Sequence, residues 1–344
     1  MNFEHGGDIY NNDILYDFSA NLNPLGMPKG VTNVLKNSVD EWDKYPDPYC
    51  RKLTEKIGLH ENFFAKNIVC GNGAADLIYR IIQAFKPPKS VICAPSFSEY
   101  EKALNEFGSK ITVYRLLEKN NFILDSGIIE LLTENIDMLI LCSPNNPTGK
   151  TIDTEILKNI CEKCLEKNII FLCDECFMDF VKNGKNKSVR NFINKNIIIL
   201  KAFTKVYAMA GLRLGYALFG NAEYAEKVRK TGQFWSVSSP AQIAGIAALD
   251  EKNYIQKTIE IIENERDFLL NELSKLNFKL YNSEANFILF KSNLPLDELL
   301  LKHKILIRSC ANFDGLGENF FRIAVRSHEE NIALIEALRR VVNG

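Results

Sequence analysis

The chain has 344 residues, of which 46% are hydrophobic and 25% charged, and its formal net charge is −1. This composition is typical of a globular protein with one large domain or two smaller ones, and it argues against disorder. A net charge so close to zero excludes an overall basic field that would hold nucleic acid or an anionic membrane. The expected ligand is therefore a small molecule.

The cysteines and the N-terminus bear on where the protein works. The chain has nine cysteines, an odd number, and several end apolar runs, as Cys70, Cys93, Cys142 and Cys173 do. These are expected to be small buried residues rather than a disulfide framework, which favours a reducing cytoplasm. The N-terminus lacks a signal-peptide pattern, and no apolar stretch approaches the roughly 20 residues of a membrane helix. We therefore expect neither export nor membrane insertion.

The middle of the chain alternates short apolar runs with longer amphipathic stretches. The runs predict strands at 90–93, 110–114, 137–142, 169–173 and 196–200. The amphipathic stretches predict helices at 74–85, 97–107 and 153–167. This alternation is typical of an α/β fold, with a mostly parallel sheet and helices on both faces. In such folds ligands bind at the carboxyl ends of the strands.

The pattern changes from about residue 239. A helix is predicted at 257–276, strands at 278–281, 287–290 and 320–325, and a closing helix at 328–342. We interpret this part as a smaller α+β domain at the C-terminus.

Lys205 is the most informative residue of the chain. It follows Thr204, and Arg213 comes eight positions later in a Gly-Leu-Arg-Leu-Gly-Tyr segment. A lysine amine can form a Schiff base with an aldehyde, while a hydroxyl and a guanidinium are groups that bind phosphate. The layout therefore suits a pyridoxal phosphate site. Alone, Lys205 would be read as a solvated surface residue.

Two earlier residues strengthen this hypothesis. Asp174, at the polar end of the run 169–173, is placed to pair with a pyridinium nitrogen, and Asn146 can reach the ring hydroxyl. The simpler alternatives are a strand-end or helix-capping aspartate and an Asn-Pro turn.

A small-residue segment offers a second phosphate contact. Gly73, Ala74 and Ala75 follow an apolar run and open a predicted helix, so that backbone N–H groups could approach an anion at the positive helix end. A turn without any ligand is the alternative.

Together with the segments 17–26 and 322–326, these motifs resemble the fold type I pyridoxal phosphate enzymes of the class I/II aminotransferase superfamily. Within it the chain is similar to the histidinol-phosphate aminotransferase branch and more closely to the threonine-phosphate decarboxylases. The segments 5–8, 174–180 and 305–317 carry the closer likeness. The resemblance implies an aspartate-aminotransferase-like fold with an N-terminal arm at 1–40, associated with the small domain, a large cofactor-binding domain at 41–240 and a small domain at 241–344.

The resemblance also implies a homodimer with shared active sites. Tyr45 matches the tyrosine that reaches the neighbouring cofactor's phosphate, and Tyr100 the aromatic that stacks on the ring, with Phe97 as the alternative. Arg322 matches the arginine for the substrate α-carboxylate, although it could instead form a surface ion pair.

A substrate phosphate would need further cations or donors. Four residues are candidates for binding it, namely His5, Asn23, Arg308 and Arg326. Dimer contacts are the alternative role for each.

Two positions depart from the superfamily pattern. Phe177 replaces the usual tyrosine that hydrogen-bonds the cofactor's O3′, and Ala202 replaces a serine phosphate donor. The phenylalanine weakens the aminotransferase interpretation and resembles the decarboxylase pattern.

The expected activity is therefore pyridoxal phosphate-dependent decarboxylation of L-threonine-O-3-phosphate to (R)-1-aminopropan-2-yl phosphate in cobalamin biosynthesis. The alternative is an aminotransferase of the histidinol-phosphate type. A third class, the cofactor-binding transcriptional regulators of this fold, usually adds a basic DNA-binding module, for which we expect no room before Asn21.

One pattern suggests a metal site. Cys161, Cys164, Cys173 and Cys176 form two C-x2-C pairs that superficially resemble zinc ligands. The first pair falls on a predicted helix and the second flanks Asp174, so we expect buried free thiols and no metal.

Overall fold

The structure of residues 5–343 is a computed structural model, in which helices and strands alternate along most of the chain. The strands, in chain order, are β1 Tyr16–Asp17, β2 Ile68–Gly71, β3 Lys89–Ala94, β4 Lys110–Arg115, β5 Met138–Cys142, β6 Ile170–Asp174, β7 Ile197–Ala202, β8 Gly215–Phe219, β9 Lys279–Tyr281, β10 Phe287–Lys291, β11 Ile305–Leu306, β12 Arg308–Ser309 and β13 Phe320–Ala324.

The α-helices have lengths from one turn to six turns. They are α1 Lys29–Asn37, α2 Arg51–Glu61, α3 Gly73–Phe85, α4 Glu99–Glu106, α5 Thr154–Glu166, α6 Gly184–Lys187, α7 Phe203–Val206, α8 Ala222–Arg229, α9 Ser239–Leu249, α10 Tyr254–Lys275, α11 Leu296–Leu301 and α12 His328–Asn343. Within the described residues, no helix is long and apolar enough to cross a membrane.

The larger sheet has seven strands in the order β2-β8-β7-β6-β5-β3-β4. All neighbouring strands are parallel except β8, which is antiparallel to both β2 and β7. Helices α3, α4 and α5 pack against this sheet, as expected for a doubly covered α/β layer. The five strands and three helices predicted in the middle of the chain are confirmed. The short strands β2 and β8 were not predicted.

The central strands are strands because both of their faces are buried. Every residue of β5 is buried, and its Ile and Leu side chains lie in the main hydrophobic core. Helix α5 begins where Asp153 accepts hydrogen bonds from the backbone N–H groups of Glu155 and Ile156, at 2.9 and 3.2 Å. This cap satisfies donors that have no partner within the helix. Local signals and burial therefore agree in this part of the chain.

The second sheet is antiparallel, with the order β12-β13-β10-β9. Its strands β9, β10 and β13 and the closing helix α12 confirm the predicted α+β pattern of the C-terminal part. The N-terminal segment runs alongside it, because β1 pairs in parallel with β11 and Phe18 accepts a hydrogen bond from the Ala324 N–H at 2.8 Å. The first described residues are thereby attached to the last part of the chain.

A buried cluster of charges fixes helix α2 to the larger sheet. The Glu61 carboxylate accepts a hydrogen bond from the Tyr216 hydroxyl at 2.5 Å and lies 2.9 Å from Arg190 and 3.3 Å from Lys201. Lys201 also lies 2.9 Å from Asp179. Burial alone would raise the pKa of Glu61, but Lys201 and the Tyr216 hydroxyl outweigh it and lower the pKa to about 2. The cluster connects the strand before Lys205 with the turn after Asp174.

We predict that Glu61→Gln destabilises the protein by about 3 kcal/mol at pH 7, because it leaves buried Lys201 without one of its carboxylates. The pKa of Glu61 is about 2 in the folded chain against an ordinary 4.5. Its contribution is therefore complete above pH 4.5 and is lost as the pH falls towards 2. Urea unfolding of wild type and variant between pH 7 and pH 3 measures this difference.

The matched control is Glu226→Gln, which removes the exposed partner of Arg229 and Lys230 and should leave the urea midpoint unchanged. A Glu61→Gln variant as stable as wild type at pH 7 would show that the cluster contributes no net stability.

Candidate active site

A cavity of about 260 Å³ lies where the two sheets and the N-terminal segment meet. Its walls come from the carboxyl ends of β5, β6 and β7, the start of α3, and strands β12 and β13. The predicted site residues that line it are His5, Ala74, Ala75, Tyr100, Asn146, Asp174, Thr204, Lys205, Arg213, Arg308 and Arg322. The folding of the chain therefore brings together residues that are more than 300 positions apart.

Asp174 is the last residue of β6, and its side chain is buried between two parallel neighbours, β5 and β7. One carboxylate oxygen accepts a hydrogen bond from the Tyr100 hydroxyl at 2.6 Å, and the other accepts one from the Cys176 N–H at 2.9 Å. Burial raises the pKa of Asp174, while these donated hydrogen bonds oppose the rise. A cationic ligand group would favour the ionised form of this carboxylate.

Lys205 lies in the single turn α7, directly after β7. Its side chain is partly buried, and burial together with the nearby Arg322 lowers its pKa from 10.5 to about 8. A substantial fraction of the amine is therefore neutral near physiological pH, which is the form that attacks an aldehyde. Asn23 holds this turn, since its backbone N–H donates to the Lys205 carbonyl at 3.1 Å and its side-chain amide to the Val206 carbonyl at 2.7 Å.

The start of α3 faces the cavity with small residues. Gly73 has a φ of +85°, a backbone conformation that favours glycine, and a Cβ atom there would lie 2.6 Å from an Nη atom of Arg213, so that the guanidinium would have to move. Ala74 and Ala75 follow in the first turn, whose N–H groups have no partner within the helix. With buried Thr204 on the adjacent turn, these groups form a donor set of the kind that binds a phosphate.

Arg322 lies on β13, is buried and also lines the cavity. Its guanidinium donates to the Asn146 side-chain oxygen and, at 2.7 Å, to the Ser19 carbonyl. Its Nε has no hydrogen-bond partner among the described residues. Burial lowers the pKa of Arg322 to about 10, which leaves the side chain charged at neutral pH. A buried cation with an unused donor suits an anionic ligand such as a carboxylate.

Two further basic residues line the cavity. Arg308 on β12 is buried and donates to the Asn312 side-chain oxygen at 2.7 Å. His5 is more exposed, and its Nε2 lies 2.9 Å from a carboxylate oxygen of Glu99. Arg308, Arg322 and His5 all line the cavity, and together they are suited to binding a second anionic group.

Three predicted residues lie away from the cavity of the single chain. Tyr45 is 81% exposed and stacks on Trp235, with 4.7 Å between ring centroids. Asn23 is buried and its amide donates to Val206 and Thr258, and Arg326 pairs with Glu330 at 2.9 Å. The substrate-binding roles of Asn23 and Arg326 stay predictions, and these existing partners count against them.

Several lining residues were not predicted. Ser19 and Asn21 lie in the 17–26 segment, and Asn312 and Phe313 in the 305–317 segment, both of which carried the family resemblance. Their positions within those motifs were the available signal. Cys142 and Cys176 also line the cavity, although the sequence predicts them only as buried thiols. Phe177 also lines it and packs edge-on against Phe287, with 5.0 Å between centroids.

The C-x2-C pattern does not assemble as metal ligands. Cys161 and Cys164 are buried on α5, whereas Cys173 and Cys176 lie on and after β6. All nine cysteines are buried and unpaired, which confirms the predicted burial of Cys70, Cys93, Cys142 and Cys173. Within residues 5–343 no group of three His, Cys, Asp or Glu side chains is arranged to hold a metal ion.

A mostly parallel sheet with a lysine and a buried aspartate at its carboxyl edge defines a class of protein, the aspartate-aminotransferase-like fold, which is shared with the aspartate aminotransferase of Thermus thermophilus. The predicted fold class is therefore confirmed. The chain belongs to the aminotransferase class I and II family, whose model matches residues 13–338.

Particular relatives narrow the comparison. The chain is 35% identical to the threonine-phosphate decarboxylase of Salmonella typhimurium, over 100% of this chain and 98% of that protein. It is 34% identical to an adenosylcobalamin biosynthesis bifunctional protein of Leptospira interrogans, over 99% of this chain and 41% of that protein. The solved histidinol-phosphate aminotransferase of Clostridium acetobutylicum is 33% identical, with a TM-score of 0.89 over 96% of this chain and 99% of that one.

The lowered pKa of Lys205 gives a direct test of the site. We predict that trace acetylation of Lys205, followed by mass spectrometry, increases with pH around a midpoint near 8. Arg322→Gln should move the midpoint upwards, because it removes a neighbouring positive charge. A wild-type midpoint at the ordinary value of 10.5 would contradict the buried, cation-flanked position of this amine.

Proposed function

We propose that the protein catalyses the pyridoxal phosphate-dependent decarboxylation of L-threonine-O-3-phosphate to (R)-1-aminopropan-2-yl phosphate, a step of cobalamin biosynthesis. One observation carries the proposal: a single cavity is lined by Lys205 and Asp174 and also by the basic side chains of His5, Arg308 and Arg322. The full-length similarity to the Salmonella decarboxylase supports the same substrate.

The donor set of the cavity fits the cofactor. The first turn of α3, Thr204 and Arg213 would hold its phosphate, Asp174 its ring nitrogen, and Lys205 its aldehyde carbon. Asn146 would contact the ring hydroxyl, and Tyr100 the ring face. When bound, the cofactor supplies an electron-accepting ring that weakens one bond at the substrate's α carbon.

The residues of this chain decide which bond that is. Arg322 would bind the substrate carboxylate through its unused Nε–H, and so set the angle of the carboxylate to the ring. Arg308 and His5, which line the same cavity, would bind the substrate phosphate. Loss of carbon dioxide leaves the α carbon in need of a proton, which the protonated ammonium form of Lys205 would donate, becoming the neutral amine; a pKa of about 8 suits this exchange near neutral pH.

Position 177 favours decarboxylation over transamination. The Phe177 ring has no hydroxyl to donate to the cofactor's O3′, and it is held in an apolar contact with Phe287. The resemblance associates this substitution with the decarboxylases. An aminotransferase of the histidinol-phosphate type is the second candidate, favoured by the likeness to the Clostridium acetobutylicum structure.

The proposed assembly is a homodimer with shared active sites, in the cytoplasm. An aromatic patch formed by Tyr45, Tyr49, Phe234 and Trp235 is exposed on the single chain, with Tyr45 at 81%, Phe234 at 65% and Trp235 and Tyr49 at 47%. Contiguous exposed aromatic surface of this kind is typical of a subunit interface. Within each subunit we assign an arm at 1–40, a large domain at 41–240 and a small domain at 241–344. The nine unpaired cysteines agree with a reducing compartment.

Incubation of the purified protein with pyridoxal phosphate and L-threonine-O-3-phosphate tests the activity. We predict release of carbon dioxide without any added 2-oxo acid, and complete loss in Lys205→Ala. L-Threonine is the matched control substrate and should react at least about 100-fold more slowly in kcat/KM, because the phosphate contacts of Arg308 and His5 are missing. Product formation that requires 2-oxoglutarate would instead identify an aminotransferase.

The proposed dimer has its own test by sedimentation velocity. We predict a dimer for wild type and a marked shift to monomer for Trp235→Glu, since a charge would then be buried in the aromatic patch. Leu165→Glu is the control, because Leu165 is 42% exposed on α5 and lies outside the patch. A monomeric wild type at micromolar concentration would rule out the shared site.

A further inference from the structure

The hydroxyl of Tyr100 points at a carboxylate rather than at open space. Tyr100 is the second residue of α4, is 1% exposed, and donates to the Asp174 carboxylate at 2.6 Å. Both partners are buried, so the hydrogen bond lies in a medium of low dielectric where water does not compete. Phe97 packs edge-on against the tyrosine ring, with 5.7 Å between centroids, and helps to fix its position.

Stacking on a cofactor ring requires only an aromatic face, which phenylalanine provides equally well. The hydroxyl therefore needs a separate explanation. Among the residues described as lining the cavity, Tyr100 is the only tyrosine, and position 177 carries phenylalanine. The tyrosine hydroxyl of this cavity is therefore directed at Asp174.

We propose that Tyr100 is a positioning residue whose hydroxyl holds the Asp174 carboxylate ionised and aimed at the cofactor's ring nitrogen. This inference rests on the proposed function, because it needs that ring to be bound. Its consequence is that the strength of the electron-accepting ring depends on Tyr100 through Asp174.

The electrostatics of the pocket agree with this role. Burial raises the pKa of Asp174, and hydrogen bonds from Cys176 and Tyr100 counteract the rise. The thiols of Cys142 and Cys176 lie close to the carboxylate, and burial raises the pKa of both, so they stay neutral near pH 7. Lys205 lies in α7, directly after the neighbouring strand β7. Without the Tyr100 hydroxyl, the carboxylate would bind a proton more readily and a pyridinium less tightly.

The test compares holoenzymes of wild type and Tyr100→Phe, a variant that keeps the aromatic face. Hydrogen bonds to a charged group stabilise by about 1.5–3 kcal/mol, so we expect the cofactor dissociation constant to rise by about 10- to 100-fold. The visible absorption of the bound cofactor should change, and kcat should fall while KM for threonine phosphate stays within about twofold. Tyr281→Phe is the control, because Tyr281 is equally buried and donates to Glu118 at 2.6 Å outside the cavity.

A double-mutant cycle with Asp174→Asn decides whether Tyr100 acts through the carboxylate. When Asp174→Asn is already present, adding Tyr100→Phe should leave cofactor affinity unchanged. A loss as large as in wild type would overturn the inference, as would a Tyr100→Phe enzyme with wild-type affinity, spectrum and kcat. If Tyr100→Phe does not fold, 3-fluorotyrosine at this position, a stronger donor of nearly the same shape, should tighten cofactor binding, and unchanged binding would overturn the inference.

A failure of the proposed function would give a different experimental result. In that case the wild-type protein itself would bind no pyridoxal phosphate, and this inference would fall with it. If wild type binds the cofactor and Tyr100→Phe matches it in every measurement, only the inference fails.

Discussion

The burial of a carboxylate at the carboxyl end of β6 is the constraint on which the rest of the site depends. A carboxylate removed from water must be compensated by donors or by a cation, and Asp174 has a tyrosine hydroxyl and a backbone N–H within 2.9 Å. Burial and the neighbouring Arg322 also act on Lys205, where they lower the pKa and so favour the neutral amine. A ligand with a cationic group and a carbonyl carbon would suit both residues, because the cation would compensate the Asp174 carboxylate and the carbonyl carbon would react with the neutral Lys205 amine. Under the proposed function, pyridoxal phosphate is such a ligand, since it has a ring nitrogen that can be protonated and an aldehyde.

Arg322 connects this constraint to the ends of the chain. It lies on the C-terminal sheet, donates to Asn146 in the loop after β5 of the larger sheet, and donates to the Ser19 carbonyl in the N-terminal segment. The pairing of β1 with β11 brings that segment into reach. The cavity is thus complete only when three separate parts of the chain have packed together. This explains why side chains from positions 5, 308 and 322 can line one small volume together with Lys205.

Most of the larger sheet could be predicted from the sequence, because a buried strand is a short apolar run that can be recognised without knowing which strands it pairs with. The sequence did not predict β8, because the segment around Arg213 was interpreted as a phosphate motif and the strand that begins at Gly215 is short. Long-range hydrogen bonds were equally invisible. Asn23 was predicted to bind substrate, yet its amide donates to a carbonyl 183 positions away. Tyr45 is exposed in the single chain, and its predicted contact would require a second copy.

Position 177 shows how packing limits the choice of reaction. Phe177 packs edge-on against Phe287, and the Arg322 guanidinium lies over the Phe287 ring, 5.4 Å from its centroid. The apolar ring at 177 therefore belongs to the same packed unit as the arginine that would orient the substrate carboxylate. A tyrosine hydroxyl here would need a polar partner within this unit. Under the proposed function, the fixed angle of the carboxylate and the absence of a second hydroxyl donor at the ring are two results of one packing arrangement.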